Sequence, residues 1–235
     1  MSDLIHVAIL DDHQSIIDGY LYRLAKDPGI EVVATMHYGE ELESVLAQHT
    51  IDALLLDIQV PTSEANTNPY PILYLIPKLV HVYPKLNILV ISMHNQNSLI
   101  RAVMDAGASG YILKDDQSAI KTLPSLIRTV TGGGIYLSQH IYQQLRKREK
   151  DPSSPTLTVR QLEALSLCAA YPNASTADLA RIMNIEGSTI RNLLSNIYIK
   201  LQVNTRAAAI AKARQMSLIA AETPPFDFEQ TLPQA

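Results

Sequence analysis

Three acidic residues stand where the sequence predicts that buried strands end. Asp11 and Asp12 follow the apolar run "LIHVAIL", and Asp57 closes the run "DALLLD". Clustered carboxylates repel one another unless a cation joins them, and hard oxygen ligands with open water positions favour Mg²⁺. The alternative for the first two acids is that they cap the helix that begins just after them. If all three acids meet, this part of the chain carries a magnesium site.

Two further strand ends carry polar side chains of a different kind. Ser92 closes "NILVIS", and Lys114 closes "GYILK". A hydroxyl and an ammonium beside a metal-bound carboxylate are what a transferred phosphoryl group needs, because the cation bridges its oxygens and the donors neutralise the remaining charge. Asp57 is the carboxylate that could attack phosphorus and become an acyl phosphate. Together the five residues indicate phosphoryl transfer to Asp57.

The elements that must position these residues are five short apolar runs: "LIHVAIL", "EVVATM", "DALLLDI", "NILVISM" and "GYILK". Between them, apolar residues recur at the three- and four-residue spacing of helices. Runs of about five residues without polar alternation are typical of parallel strands that are covered on both faces. The sequence therefore predicts an α/β fold with a doubly wound, five-stranded parallel sheet. In such sheets ligands bind beyond the carboxyl ends of the strands, where the strand order reverses.

From residue 4 to about 130, the chain resembles the receiver domain of two-component response regulators, which has a flavodoxin-like fold. The motifs that carry the resemblance are "ILDDH", "LLLDIQVP", "VISMH" and "GYILKD". The resemblance implies that Asp57 accepts a phosphoryl group from a sensor histidine kinase, with Ser92 and Lys114 binding the phosphoryl oxygens. It also implies a set of Mg²⁺ ligands: Asp11, Asp12, Asp57 and the backbone carbonyl of Gln59.

Two positions of this half allow alternatives. Tyr111 matches the family's aromatic residue that rotates inward as Ser92 moves towards the phosphate, or it is an ordinary buried tyrosine. A haloacid-type phosphatase also uses an aspartyl nucleophile, but it has a second acid two residues later, where this chain has Gln59. We therefore predict that the protein is not an enzyme.

The segment after Asp57 is longer than is usual in the family. Pro61 is kept, the glycine that commonly follows it is absent, and several residues are inserted within 62–70. One interpretation is a tolerated surface insertion, because added loop length costs little free energy. The other is that residues 62–70 cover the pocket and change the phosphoryl lifetime or the choice of partner.

The second half, residues 156–221, shows four helical patterns and no strand pattern. In "STIRNLLSNIYIKL", one predicted buried face comprises Ile190, Leu193, Leu194, Ile197 and Leu201. With the short helix before it, this segment predicts a helix-turn-helix, in which Arg can read guanine, Asn can read adenine, and Ser, Thr and Lys mostly bind phosphates. The alternative is an ordinary amphipathic helix with a solvated polar face. The candidate DNA contacts are Ser188, Thr189, Arg191, Asn192, Ser195, Asn196 and Lys200.

Four motifs of this half resemble the DNA-binding domain of the LuxR/NarL class: "LTVRQLEALSL", "ADLARIMNI", "STIRNLLSNIYIKLQV" and "TRAAAIAKARQMSLI". Joined to a receiver in this order, it gives the architecture of NarL/FixJ-type transcriptional regulators. The resemblance implies that phosphorylation of Asp57 controls binding to double-stranded DNA, with the protein acting as a homodimer. Leu193, Ile199 and Ala177 replace a histidine, an arginine and a lysine that are common there. This motivates a second hypothesis, a protein-interaction module with weakened DNA binding.

Charge and composition agree with this organisation. Residues 1–130 contain 8 basic and 15 acidic residues, whereas residues 156–221 contain 7 basic and 3 acidic residues. A basic module joined to an acidic one is what a polyanion-binding protein would show, although chance variation between two solvated surfaces explains the charges equally well. We predict a receiver over 1–130, a linker with a short helix over 131–155, a DNA-binding domain over 156–221 and a disordered tail over 222–235. A single cysteine and the absence of signal and membrane patterns predict a cytoplasmic protein without membrane contact.

Overall fold

The computed structural model describes residues 4–138, 141–142 and 157–220. Its first part contains a parallel sheet in the order β2-β1-β3-β4-β5-β6. The strands are β1 (Ile5–Leu10), β2 (Ile30–Met36), β3 (Ala53–Leu56), β4 (Asn87–Ser92), β5 (Gly110–Leu113) and β6 (Tyr136–Leu137). Because the strand order reverses at β1, the carboxyl ends of β1 and β3 lie side by side, as the sequence predicted.

The sheet has six strands where the sequence analysis predicted five. The glycine-rich stretch "GGGIYL" is typical of a turn, but Tyr136 and Leu137 pair in parallel with Gly110 and Tyr111. Two residues are too few to show an alternating pattern, and only the neighbouring strand reveals them. Gly110 permits this pairing, because a Cβ atom there would lie 2.8 Å from the Tyr136 carbonyl oxygen.

Helices cover both faces of the sheet. They are α1 (Gln14–Leu24), α2 (Leu42–Gln48), α3 (Ile72–Val82), α4 (Asn97–Asp105), α5 (Gln117–Lys121) and α6 (Leu123–Thr131). Successive strand side chains point to opposite faces, so Val7 and Ile9 pack with α1 and α6, while Ala8 and Leu10 pack with α2, α3 and α4. Both faces are buried, which explains the unbroken apolar runs of these strands.

The second part of the chain forms the four predicted helices. They are α7 (Val159–Ala170), α8 (Thr176–Ile182), α9 (Gly187–Leu201) and α10 (Arg206–Gln215). Thr158 caps α7 and Ser175 caps α8, each in a capping box with the residue three positions on. No helix among the described residues is long and apolar enough to cross a bilayer. Most of the predicted linker helix and the tail from 222 lie outside the described residues.

The two parts pack against each other through α3, α4 and α7. Buried apolar side chains of all three helices belong to one continuous core. Hydrogen bonds from side-chain hydroxyls to backbone carbonyls reinforce this packing. The Tyr74 hydroxyl donates to the Ile182 carbonyl at 2.6 Å, and the Ser98 hydroxyl lies 3.2 Å from the Ser217 carbonyl. The receiver-like part therefore contacts the helical part through α3 and α4.

The inserted segment, residues 62–70, folds back onto a 3₁₀ turn, Gly39–Glu41, that follows β2. Pro61 and Pro69 form an antiparallel bridge, and the Gly39 backbone N–H donates to the Pro61 carbonyl at 2.9 Å. The Tyr70 ring lies against Gly39, where an added Cβ atom would come within 2.1 Å of the ring. A side chain at position 39 would therefore displace the ring.

We expect Gly39→Ala to lower the free energy of unfolding by about 1–3 kcal/mol, because the new methyl group overpacks the Tyr70 ring. Urea denaturation measures this change. Gly19→Ala is the matched control, since a Cβ atom there meets only the Arg23 guanidinium at 3.7 Å. The control lies inside α1 and should be neutral or stabilising. Equal effects of the two substitutions would contradict the described packing of Tyr70.

Candidate functional site

Two of the predicted acids meet the predicted lysine at the carboxyl edge of the sheet. Lys114 Nζ lies 2.7 Å from Asp11 Oδ2 and 2.9 Å from Asp57 Oδ2. The three side chains are only 9%, 2% and 5% exposed, in the order Lys114, Asp11 and Asp57. Their positions follow from strand pairing, because the Asp57 backbone N–H donates to the Leu10 carbonyl and that of Lys114 to the Ser92 carbonyl.

Burial and charge act in opposite directions in this group. Burial raises the pKa of Asp57, and the neighbouring Asp11 carboxylate raises it further, against the opposing effect of Lys114 and of the Gln59 backbone N–H. Burial lowers the pKa of Lys114, but the two carboxylates raise it by more, so the net shift is upward. Lys114 is therefore a cation at neutral pH, and Asp57 is a carboxylate whose negative charge is costly.

A possible cation site lies beside this group. One ligand atom from each of Asp11, Asp12 and His13 can be chosen so that all lie within 4.8 Å of one another. Asp11 Oδ2 is buried and, apart from its ion pair with Lys114, makes no well-directed hydrogen bond. Buried, under-satisfied carboxylate oxygens fit a hard divalent cation such as Mg²⁺. His13 is exposed and lies in this group through its ring, whose Nδ1 is 2.7 Å from Asp12 Oδ1.

Ser92 and Tyr111 lie on the other side of Asp57 and are both fully buried. The Ser92 hydroxyl oxygen accepts the His94 backbone N–H at 3.2 Å, and the Tyr111 hydroxyl donates to the His94 carbonyl at 2.7 Å. Burial raises the pKa of Tyr111, which therefore stays protonated. The structure thus places Tyr111 inward and joins it, through the backbone of His94, to Ser92.

The candidate DNA contacts share the exposed face of α9. Ile190, Leu194, Ile197 and Leu201 are buried, as predicted, while Leu193 is only partly buried. The exposed residues include the whole predicted set: Ser188, Thr189, Arg191, Asn192, Ser195, Asn196 and Lys200. Lys200 Nζ lies 3.0 Å from Gln161 Oε1 on α7, which holds this ammonium at the end of the face. Ile199 is 73% exposed beside it.

We expect Asp57→Asn to raise the free energy of unfolding at pH 7 by about 1 kcal/mol, because it removes a costly buried charge. The folded-state pKa of Asp57 lies above 3.8, so this carboxyl costs no stability below pH 3.8 and becomes destabilising as pH rises through its folded-state pKa. The stability gained by Asp57→Asn should therefore disappear below pH 3.8. Urea denaturation at pH 7 and at a pH below 3.8 measures this difference. Asp18→Asn, at an exposed position of α1, should change neither value. A loss of stability at pH 7 in Asp57→Asn would contradict the described electrostatics.

Two family models match the chain in the expected order. The response regulator receiver domain matches residues 7–123, and the luxR family of bacterial regulatory proteins matches residues 155–213. The chain also resembles solved structures of RcsB from Salmonella enterica serovar Typhimurium. The structure bound to promoter rprA with the phosphomimetic BeF3- has a TM-score of 0.63 and 21% identity, and the match covers 89% of this chain and 98% of that chain. This likeness supports the fold.

Two relatives match nearly the full length. The nitrate/nitrite response regulator protein NarP of Escherichia coli (strain K12) is 31% identical over 208 residues, which cover 86% of this chain and 91% of the relative. The transcriptional regulatory protein DegU of Brevibacillus brevis is 29% identical over 233 residues, which cover 89% and 92%. The chain therefore belongs to the NarL/FixJ response regulators, a family of transcription factors rather than enzymes, in which a receiver domain precedes a LuxR-type helix-turn-helix domain.

Proposed function

We propose that Asp57 accepts a phosphoryl group from a sensor histidine kinase in the cytoplasm, and that this event controls DNA binding and transcription. The observation that carries the proposal is the buried Asp57 carboxylate, held 2.9 Å from Lys114 beside the acidic pair. In this account residues 1–130 are the receiver, 131–155 the linker and 156–221 the DNA-binding domain. The partners are the kinase, double-stranded DNA and a second copy of the chain.

The chemistry is the transfer of a phosphoryl group between two nucleophiles. An Asp57 oxygen attacks phosphorus, the P–N bond of the donor phosphohistidine breaks, and the bonding electrons leave with the imidazole nitrogen. Lys114 exchanges its contact with Asp57 for one with a phosphoryl oxygen. Asp11, Asp12, Asp57 and the Gln59 carbonyl would hold Mg²⁺. The bound cation would neutralise phosphoryl charge.

The signal would leave the site through Ser92. When the Ser92 hydroxyl turns to donate to a phosphoryl oxygen, its hydrogen bond with the His94 backbone N–H changes. Tyr111 is bonded to the carbonyl of the same residue, so a shift of His94 would move Tyr111 as well. His94 lies in the loop that leads into α4. Ser98 on α4 contacts the carbonyls at the end of the DNA-binding domain. The proposed path therefore runs by hydrogen bonds from Ser92 to His94, along the backbone into α4, and by the Ser98 hydroxyl to the DNA-binding domain.

The DNA-binding step would use the exposed polar face of α9. Arg191 is suited to a guanine edge and Asn192 or Asn196 to an adenine edge, whereas Ser188, Thr189, Ser195 and Lys200 would bind phosphates. This face is open while the two domains are packed together. We infer that phosphorylation acts by pairing two DNA-binding domains on adjacent half-sites, not by uncovering the helix.

One observation favours a second candidate function, a protein-interaction module with weak DNA binding. Ile199 is 73% exposed on the same face, and Leu193 is partly exposed. Apolar side chains at such positions suit a protein partner better than a phosphate backbone. The DNA measurement below separates the two functions.

For the phosphorylation step, we expect acetyl phosphate with Mg²⁺ to add one phosphate to the wild-type protein and none to Asp57→Ala. Intact-protein mass spectrometry measures the added mass. Asp18→Ala, which removes an exposed carboxylate, should be labelled like the wild type. Equal labelling of Asp57→Ala and wild type would overturn the assignment of the phosphoacceptor.

For the DNA step, we expect Arg191→Ala to weaken binding to a selected duplex by about 1–3 kcal/mol and to lower the salt slope by at most about one. Fluorescence anisotropy at several salt concentrations gives both values. Lys121→Ala removes one exposed positive charge from the receiver and should leave both unchanged. If the wild type enriches no sequence from sheared genomic DNA at low salt, the interaction module is the better account.

A further inference from the structure

The inserted segment, residues 62–70, is held in one shape by its own hydrogen bonds. The Thr62 backbone N–H donates to the Asn68 carbonyl at 2.9 Å, and Ser63 and Asn66 exchange backbone bonds at 3.0 and 3.2 Å. Thr62 and Ser63 are buried although both are polar. The 3₁₀ turn after β2 supplies further support, since the Glu40 backbone N–H donates to the Thr62 carbonyl.

The amide of Asn66 connects this segment to the DNA-binding domain. Asn66 Oδ1 accepts two hydrogen bonds from Asn68, one from its backbone N–H at 3.2 Å and one from its Nδ2 at 2.8 Å. These bonds fix the orientation of the Asn66 side-chain amide. Asn66 Nδ2 then donates to the carbonyl of Ala170 at 3.1 Å. Ala170 is the last residue of α7, where the helix leaves carbonyl groups without intrahelical partners and carries partial negative charge. An amide donor is the complement that such a helix end requires.

Apolar contacts accompany this hydrogen bond. Pro69 and Tyr70, at the end of the segment, line a small apolar cavity together with Ser166 and Ala169 of α7. Ile58, the residue next to Asp57, lines the same cavity. The inserted segment and the residue beside the phosphoacceptor thus meet the same side of α7.

We propose that residues 62–70 form an interdomain tie, an interaction surface of the receiver whose partner is the C-terminal turn of α7. Asn66 is its polar contact, and Pro69 with Tyr70 is its apolar base. This role differs from both interpretations of the sequence, a tolerated insertion and a cover for the pocket, because it rests on contacts of the segment with α7. It operates in the unphosphorylated protein without DNA, so it does not rest on the proposed function.

The sharpest variant is Asn66→Asp. A carboxylate keeps the oxygen that accepts from Asn68 but has no N–H for the Ala170 carbonyl, and it places two oxygens face to face. The shape of the segment is therefore kept while the contact with α7 is lost. Thr67→Asp is the control, since it adds the same charge one position away at an exposed residue.

Hydrogen exchange of the unphosphorylated full chain, followed by mass spectrometry, provides the test. We expect Asn66→Asp to speed exchange in peptides covering 72–82 and 162–170 by roughly threefold to tenfold, in line with one lost hydrogen bond between neutral groups. Peptides from β1 should exchange as in the wild type, which shows that the receiver stays folded. Thr67→Asp should match the wild type throughout.

Exchange in Asn66→Asp that equals exchange in Thr67→Asp at both interface peptides would overturn the proposal. A second variant, in which residues 63–68 are replaced by two glycines, removes the whole contact and should speed exchange further. Should Asn66→Asp lose β1 protection, Asn66→Ala removes the amide without adding charge and is read in the same way. Unchanged interface protection in the two-glycine variant also overturns the proposal.

Discussion

The attraction between one buried ammonium and two buried carboxylates is the interaction on which this receiver site depends. Asp11 and Asp57 would repel each other if they were left alone in a buried environment, and Lys114 offsets that repulsion at 2.7 and 2.9 Å. The arrangement is possible because the sheet topology brings the ends of β1, β3 and β5 to one edge. A phosphoryl group on Asp57 adds negative charge at this point, so Lys114 and any bound cation must rearrange around it.

The same edge is mechanically connected to the second domain by two routes. One runs from Ser92 through the loop of His94 to α4, whose Ser98 meets the end of the helical domain. The other runs along the chain from Asp57 through Ile58 and the inserted segment to α7. Neither route uses the exposed polar residues of α9, so the packed arrangement is compatible with an open DNA-binding face.

Much of this could be predicted from the sequence because strand ends and helix faces leave strong local patterns. Asp57, Ser92 and Lys114 each close an apolar run, and parallel pairing then fixes where they meet. The four buried positions of α9 follow from helical periodicity. Strand β6 could not be predicted, because two residues carry no period and their pairing depends on a strand 26 positions earlier.

Other features depend on tertiary contacts that no local pattern encodes. The insertion offered two interpretations, and its hydrogen bond to Ala170 joins residues 104 positions apart. Leu193 was predicted to be buried with its neighbours but is only partly buried, since it lies at the edge of the apolar face of α9.

The central claim is that a phosphoryl group on Asp57 pairs two DNA-binding domains. The most direct measurement is the affinity for a duplex with two half-sites and for one with a single half-site, before and after phosphorylation. The account predicts at least a roughly tenfold gain on the paired sites, little change on the single site, and no gain in Asp57→Ala, since linked binding raises affinity without new contacts. An equal gain on both duplexes, or no gain in the wild type, would contradict it.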